Sequence, residues 1–251
     1  MKIVIIGGTG LIGSNVTSKL RAGGHTVVAG SPSTGINALT GEGLAEAFQN
    51  TDVVIDLSNA PAFDQETAVN FFQTAGVNLL SAGVAAGVKH HLILSIVGTN
   101  VMQDMGYMAA KKIQEDLLRS SGVPYTIIRS TQFQEFVPAI AAAGTVGIEV
   151  HISDVDFQPI SAEDVARFVA KFAAEEPVNG IVEIAGPEKN TMDTFVASYL
   201  KDADSSKTVV VNDRNEYFGA PIPHSALVPE GTANLGIISF EDWKRAQAAT
   251  S

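Results

Sequence analysis

The chain contains no cysteine, which excludes a disulfide framework, a thiolate nucleophile and a zinc–thiolate site. Positive charge is scarce. Sixteen Lys and Arg stand against 27 Asp and Glu, a formal net charge of -11. Phosphate-backbone binding therefore has no electrostatic footprint, and no nucleic-acid partner is expected. No apolar run approaches the roughly 20 residues that cross a bilayer, so no membrane partner is expected either. Internal repeats, low-complexity tracts and a linker between independent domains are also missing. The first strand is expected to begin at Lys2, so no signal or transit peptide is expected. The expectation is a cytoplasmic protein, monomeric or homodimeric. With 251 residues, 45% of them hydrophobic, the chain can bury a sizeable core.

What is present concentrates in the first fourteen residues. A short apolar run, Ile3 to Ile6, reads as a strand buried on both faces, as in parallel sheets. It ends in Gly7-Gly8-Thr9-Gly10-Leu11-Ile12-Gly13, and a helical pattern begins at once. Gly8, Gly10 and Gly13 satisfy G-x-G-x-x-G, and Gly7, Gly10 and Gly13 satisfy G-x-x-G-x-x-G. Glycines here allow a tight strand-to-helix bend, close approach of backbone to a pyrophosphate, and close packing of helix on strand. The helix N-terminus adds free N–H groups and a positive dipole end. Because the motif follows a strand and opens a helix, it stands in the context it needs. Gly7, Thr9, Gly10, Leu11 and Ile12 are the expected phosphate-side contacts of a dinucleotide.

Strands and helices then alternate through short connections, as in a doubly wound parallel sheet. Helices are expected over 11–22, 64–86 and 106–120, and strands over 26–29, 51–57, 91–95 and 125–129. After Arg129 the rhythm loosens: helices are expected over 133–143, 161–174, 192–200 and 242–249, strands over 147–152 and 181–185, and a long Gly/Pro-rich loop over 212–234. Such loops are often lids. Ser161 and Asp164 stand at N-cap and N3-like positions. The expected architecture is α/β, a Rossmann-type doubly wound sheet. Residues 1–130 form the dinucleotide-binding core. Residues 131–251 form a smaller substrate-binding or lid region integrated with the same domain.

In such folds an acidic residue at the end of the second strand binds the ribose 2′-hydroxyl of NAD, and its absence leaves room for the 2′-phosphate of NADP. No acidic residue lies between His25 and Thr40. The hydroxyls of Ser31, Ser33 and Thr34 can hydrogen-bond a phosphate, and NADP(H) is therefore favoured over NAD(H). No Arg or Lys assists there, and the alternative is an ordinary Ser/Pro/Gly turn.

The reaction chemistry points to Tyr107 and Lys111, which at i and i+4 share one helix face. An ammonium beside a phenol favours the phenolate and is expected to lower the tyrosine pKa from about 10. That suits an acid/base for a carbonyl reduced by hydride. Ser95 ends the preceding strand, where ligands of such sheets sit, and can orient the substrate carbonyl.

The glycine turn, the Asp52-Val-Val-Ile-Asp56 strand, Ser95 and the Tyr107/Lys111 pair resemble the short-chain dehydrogenase/reductase superfamily. The nearest flavour is its atypical, NmrA-like, NAD(P)-binding branch. Gly122-Val-Pro-Tyr-Thr-Ile-Ile-Arg129 and Ala162-Glu-Asp-Val-Ala166 add to the likeness, which covers about residues 1 to 185. The resemblance implies that Ser95 positions the carbonyl, Tyr107 is the acid/base, and Lys111 binds the nicotinamide ribose. It also implies that Thr131, Gln132 and Phe133 follow a strand running into the nicotinamide site. The Asn-Asn-Ala-Gly motif of the best-known members is absent; Leu57, Ser58 and Asn59 occupy that strand end as expected cofactor contacts. Ser95-Ile96-Val97-Gly98 lacks the pattern of sugar dehydratases, so sugar epimerase or dehydratase chemistry is disfavoured.

No metal is expected. His90 and His91 are adjacent on a strand and point to opposite faces, and Asp52 and Asp56 read as strand-end caps. Phe133, Phe136, Phe157, Tyr217 and Phe218 are candidates for an apolar pocket or for core, and His224 lies in the expected lid. The expected function is an NADP(H)-dependent oxidoreductase acting on a small apolar carbonyl or quinone-like substrate. A non-catalytic NmrA-like redox sensor is the alternative, and direct hydride transfer to a quinone without Tyr107 is a third reading.

Overall fold

The computed structural model describes residues 1–250. Its elements, in chain order, are β1 (Lys2–Ile6), α1 (Leu11–Ala22), β2 (Thr26–Gly30), α2 (Leu44–Ala47), β3 (Val53–Asp56), α3 (Gln65–Ala86), β4 (His90–Ile96), α4 (Gly106–Ser120) and β5 (Tyr125–Ser130). There follow α5 (Val137–Ala143), β6 (Thr145–Val146), β7 (Glu149–Ser153), β8 (Asp156–Phe157), α6 (Ala162–Ala174), β9 (Gly180–Ala185), β10 (Asn190–Thr191) and α7 (Met192–Ala203). Last come β11 (Thr208–Asn212), β12 (Glu216–Tyr217), β13 (Ala220–Pro221), β14 (Asn234–Leu235) and α8 (Phe240–Thr250). The central sheet has seven strands in the order β14-β9-β5-β4-β3-β1-β2. β1 pairs in parallel with both β2 and β3, and β3 with β4. The order reverses at β1, and the crevice at such a switch point, outside the carboxyl ends of the strands, is where open α/β sheets hold ligands.

The chain divides into two compact units. One comprises residues 1–129 and 165–182, the other 130–164 and 183–251. In the first, Ile3, Val4 and Ile5 of β1 are fully buried, which accounts for their unbroken apolar character. Val4, Ile6, Val54, Leu79 and Phe48 meet in one core cluster, so α2 and α3 cover one side of β1 and β3. Asp64 caps α3 by accepting from the Thr67 N–H at 3.0 Å, and Gly87 ends it in the left-handed region. Lys2 pins β1 from below: its Nζ donates to the carbonyl of Ala47 at 2.8 Å and its backbone N–H to Asp52. Asp52 also pairs with Lys89 at 2.8 Å, the strand-end role expected of it.

In the second unit Ser161 caps α6, its Oγ accepting from the Asp164 N–H at 3.1 Å. The Asp164 carboxylate accepts from the N–H groups of Ile237 and Ile238, each at 2.9 Å. Several elements depart from expectation, among them the short strands β6, β8, β10 and β14. The segment 133–143 opens with a 3-10 turn over Gln134–Phe136, and the α-helix starts only at Val137, where Pro138 needs no N–H partner. Thr208–Asn212 is a strand parallel to β7, although the β-branched run Thr-Val-Val-Val already favoured one. The expected loop 212–234 contains a hairpin, β12 against β13.

Beneath the carboxyl end of the first unit's sheet lies a buried ion pair. Arg129 Nη2 and Nε donate to the two Glu115 carboxylate oxygens at 2.7 and 2.9 Å, and Glu115 is 0% exposed. Removing one partner of such a pair strands the other charge out of water. Glu115→Ala is expected to cost about 3–5 kcal/mol. At about 2–4 °C per kcal/mol for a chain of this size, its thermal melting midpoint falls by about 6–20 °C. A midpoint equal to wild type contradicts this account.

Candidate functional site

The glycine turn is built by two close approaches. Gly7 has φ +77°, and a Cβ there stands 2.5 Å from the Leu57 carbonyl oxygen. A Cβ on Gly13 stands 2.1 Å from the Gly7 carbonyl oxygen, so α1 can seat on β1 only with glycine at 13. Gly10 differs. Its φ is -76°, and a Cβ meets nothing nearer than the Gly7 carbonyl oxygen at 3.4 Å. The protein itself does not require glycine at this exposed position. A cradle that a side chain would fill is what a pyrophosphate against the backbone needs. Gly10 is also the N-cap of α1, which has no side-chain cap and no acid in its first turn. Thr9, Gly10 and Leu11 are exposed, and Ile12 is buried beneath them.

The ends of β2 and β3 converge on this turn. Gly7 and Gly8 both donate their N–H to the Gly30 carbonyl, at 2.9 and 3.1 Å, which sets Ser31, Ser33 and Thr34 beside it. Ser31 and Thr34 form a capping box around a single 3-10 turn. Thr34 Oγ1 accepts from the Ser31 N–H at 2.9 Å, and Ser31 Oγ shares a hydrogen bond with Ser33 Oγ at 2.8 Å. All three expected phosphate ligands are thus engaged within the turn; Ser31 is buried, and Ser33 and Thr34 are exposed. At the end of β3, Asp56 accepts from both the N–H and the hydroxyl of Ser58, at 2.9 and 2.6 Å. Leu57 and Ser58 are half-buried, and Asn59 is exposed.

Tyr107 is joined to this edge: its hydroxyl donates to Asn59 Oδ1. Its ring packs between Phe63 and Phe72, with centroids at 5.1 and 5.9 Å. The expected lowering of its pKa is overturned. Burial pushes the phenol up to about 12, because Lys111 is turned elsewhere. The Lys111 ammonium donates to the Leu94 carbonyl at 2.8 Å and to Gln114 Oε1, and lies 4.6 Å over the Phe72 ring. It is 4% exposed, and burial lowers its pKa to about 8 against the opposing pull of Asp56 and Glu115. Gln114 in turn donates to Asp56 at 2.7 Å. Ser95 is 1% exposed and donates to Glu115 Oε1 at 2.6 Å. Ser95 and Lys111 are therefore anchored in one buried polar network, and Tyr107 belongs to another set of contacts.

That network was not foreseen. Gln114 and Glu115 follow Lys111 by three and four residues on the same helix face, and continuing the 107/111 stripe by one turn finds both. His90 Nε2 pairs with Thr126 Oγ1 at 2.9 Å, and burial lowers both His90 and His91 to about 4. Among the described residues no group of three His, Asp or Glu side chains is placed to hold a metal ion.

In the second unit Thr131 and Gln132 are buried and Phe133 is half-buried. Phe133 stacks on Phe136 at 5.4 Å. Phe157 is 0% exposed, and its role is core; Tyr217 is buried and Phe218 is 54% exposed. His224 is exposed, with its backbone carbonyl accepting from the Asp156 N–H at 2.9 Å.

Comparison with known proteins gives these features a context. A family model described as NAD(P)H-binding matches residues 7–176, well over half of the chain. The photosystem II assembly factor Ycf39 of Synechocystis is 29% identical over 149 residues, 54% of this chain and 46% of that protein. The chain thus matches about half the length of that curated relative. The structure of a dTDP-4-dehydrorhamnose reductase ortholog from Clostridium acetobutylicum superposes with a TM-score of 0.77 at 18% identity, covering 100% of this chain and 99% of that one. An NADPH-dependent quinone oxidoreductase from Escherichia coli gives 0.60 at 20% identity, covering 84% and 77%. At such identities the two solved structures share the fold. No helix among the described residues is long and apolar enough to cross a membrane.

Gly10→Val is the direct test of the cradle. The fold has room for the side chain, so the melting midpoint should stay near wild type. If this turn is the cradle, binding of a nicotinamide dinucleotide by calorimetry should be lost, because a side chain would stand where backbone and pyrophosphate meet. Wild-type affinity in this variant places the phosphate site elsewhere.

Proposed function

The chain belongs to the NAD(P)H-binding family, and we propose that within it the protein is an NADPH-dependent oxidoreductase that reduces a small, apolar, quinone-like acceptor. In this reading Gly7, Thr9, Gly10, Leu11 and Ile12 hold the pyrophosphate. Ser31, Ser33 and Thr34 face the 2′-phosphate, with Ser33 and Thr34 the exposed pair. Leu57, Ser58 and Asn59 border the cofactor at the end of β3. Lys111 donates two of its three N–H bonds within the protein and keeps a third for the ribose. When bound, the nicotinamide supplies the hydride.

One observation carries the choice of acceptor: Ser95 and Lys111 are held in the Glu115–Arg129 and Gln114–Asp56 network, away from the Tyr107 hydroxyl. Reducing a ketone through Tyr107 requires the phenol to give up its proton and remain as a phenolate. Burial disfavours that anion, and the ammonium that usually offsets the cost points to Leu94 and Gln114. A quinone makes no such demand. Its reduced anion is a weak base that takes its proton from water, so Tyr107 need only donate a hydrogen bond. Supporting this reading are a phenol that stays protonated up to about 12 and the exposed Phe63 ring against Tyr107.

Two outcomes follow. NADPH should bind at least tenfold tighter than NADH, about 1.4 kcal/mol, and Ser33→Asp should erase that preference by setting a carboxylate against the 2′-phosphate. Equal affinities in the wild type refute the cofactor assignment.

Tyr107→Phe separates the roles of the phenol. With 1,4-benzoquinone as acceptor, steady-state turnover should stay within about threefold of wild type. A fall of about 10²–10⁴-fold, the scale of lost general acid catalysis, returns Tyr107 to the acid/base role. Wild-type protein that binds NADPH but turns over no quinone, aldehyde or ketone is a sensor.

A further inference from the structure

Two adjacent buried side chains in the second unit have polar atoms that meet nothing. Gln132 is 7% exposed and Thr131 2%, yet Gln132 Nε2 and Thr131 Oγ1 reach no hydrogen-bond partner among the described residues. Their backbones are tied to neighbouring segments. Thr131 N–H donates to the Ile184 carbonyl at 3.0 Å, and the Gln132 carbonyl accepts from Ile160 N–H at 2.9 Å. Buried donors without partners are rare, and each asks for an explanation.

The Gln132 amide is also held in one orientation. The Tyr217 hydroxyl donates to Gln132 Oε1 at 3.1 Å, so the oxygen is occupied and the nitrogen is the free end. Tyr217 is 4% exposed, and burial raises its pKa, so the phenol stays a donor at every working pH.

Tyr217 sits in a two-strand hairpin whose turn residues are Phe218 and Gly219. Both have positive φ, +48° and +78°, as the tight mirror-image hairpin turn requires. Glycine or asparagine usually fills the first position; a phenylalanine there is backbone-strained. The strained ring is also 54% exposed, and it packs on Tyr217 with centroids 4.7 Å apart at 70°. An aromatic side chain that neither suits its backbone nor fills the core is accounted for by what it can touch.

We propose that Thr131, Gln132 and the 216–221 hairpin form the recognition site for a flat conjugated ring bearing a carbonyl oxygen. Gln132 Nε2 and Thr131 Oγ1 donate to the carbonyl, Phe218 lies against the ring face, and Tyr217 is the positioning residue that occupies the amide oxygen and leaves the nitrogen free to donate. The assignment rests on the oxidoreductase reading above, because it names the substrate of that reaction as a quinone-class ring rather than an aliphatic ketone.

The test is calorimetric titration of the full-length protein, in saturating NADP⁺ so that no reduction occurs, with 1,4-naphthoquinone and with naphthalene as the ring lacking carbonyls. Gln132→Leu and Tyr217→Phe should each weaken naphthoquinone about tenfold and leave naphthalene unchanged. Phe218→Gly should weaken both ligands about tenfold while its melting midpoint equals or exceeds that of wild type, since glycine relieves the strained turn. No naphthoquinone binding by the wild type, or equal affinity across wild type and variants, overturns the proposal. Weakening of both ligands by Tyr217→Phe overturns its positioning role. NADPH consumption with naphthoquinone is read separately. Binding with the expected pattern but no turnover leaves this site standing and removes the enzyme reading.

Discussion

The approach of α1 to the end of β1 governs the first unit. The 2.1 Å between a Cβ at residue 13 and the Gly7 carbonyl means that only a bare backbone lets the helix start where it does. Everything at this edge follows from that seat. The start of α1 stands uncapped over the crevice, Gly7 and Gly8 reach the Gly30 carbonyl, and Gly7 lies against Leu57. Three strand ends are drawn into one edge by contacts that no larger residue tolerates. Gly10, lying between them and sterically free, is the one glycine of this turn that the fold itself does not demand.

A second constraint is electrostatic. Burying Asp56, Lys111, Glu115 and Arg129 together is tolerable only because every charge finds a partner. The bidentate Arg129–Glu115 pair fixes the carboxylate that Ser95 donates to, and Asp56 fixes the Gln114 amide that receives Lys111. The same side chains cannot then gather around Tyr107. Chemistry at this edge is set by which partner each polar group already has, more than by which residue types are present.

The sequence was most legible where one residue type answers to one geometric demand. The expected α4 boundaries, Gly106 to Ser120, agree with the structure, and so do those of α1. The Ser161 cap and the Asp52 strand-end contacts were likewise readable. Less legible were features decided by tertiary competition. The i, i+4 spacing of Tyr107 and Lys111 placed them on one face correctly. It could not say that the ammonium would prefer a strand carbonyl and a glutamine to the phenol. Ser31 and Thr34 carried hydroxyls suited to a phosphate, yet the local turn takes them first. The hairpin at 216–221 was hidden because its turn begins with Phe218, where the usual signal is Asn-Gly or Asp-Gly.

The first unit is discontinuous, and this bears on how the chain is made. Residues 165–182 belong with residues 1–129, and β9 lies beside β5. During synthesis the strand edge of β5 stays unpaired until Val182 has cleared the ribosome, some fifty residues after β5 itself. An exposed parallel edge rich in Ile and Thr is a template for unwanted pairing, and late, long-range closure is slow. The second unit's first segment must therefore wait, already synthesised, while the first unit completes its sheet.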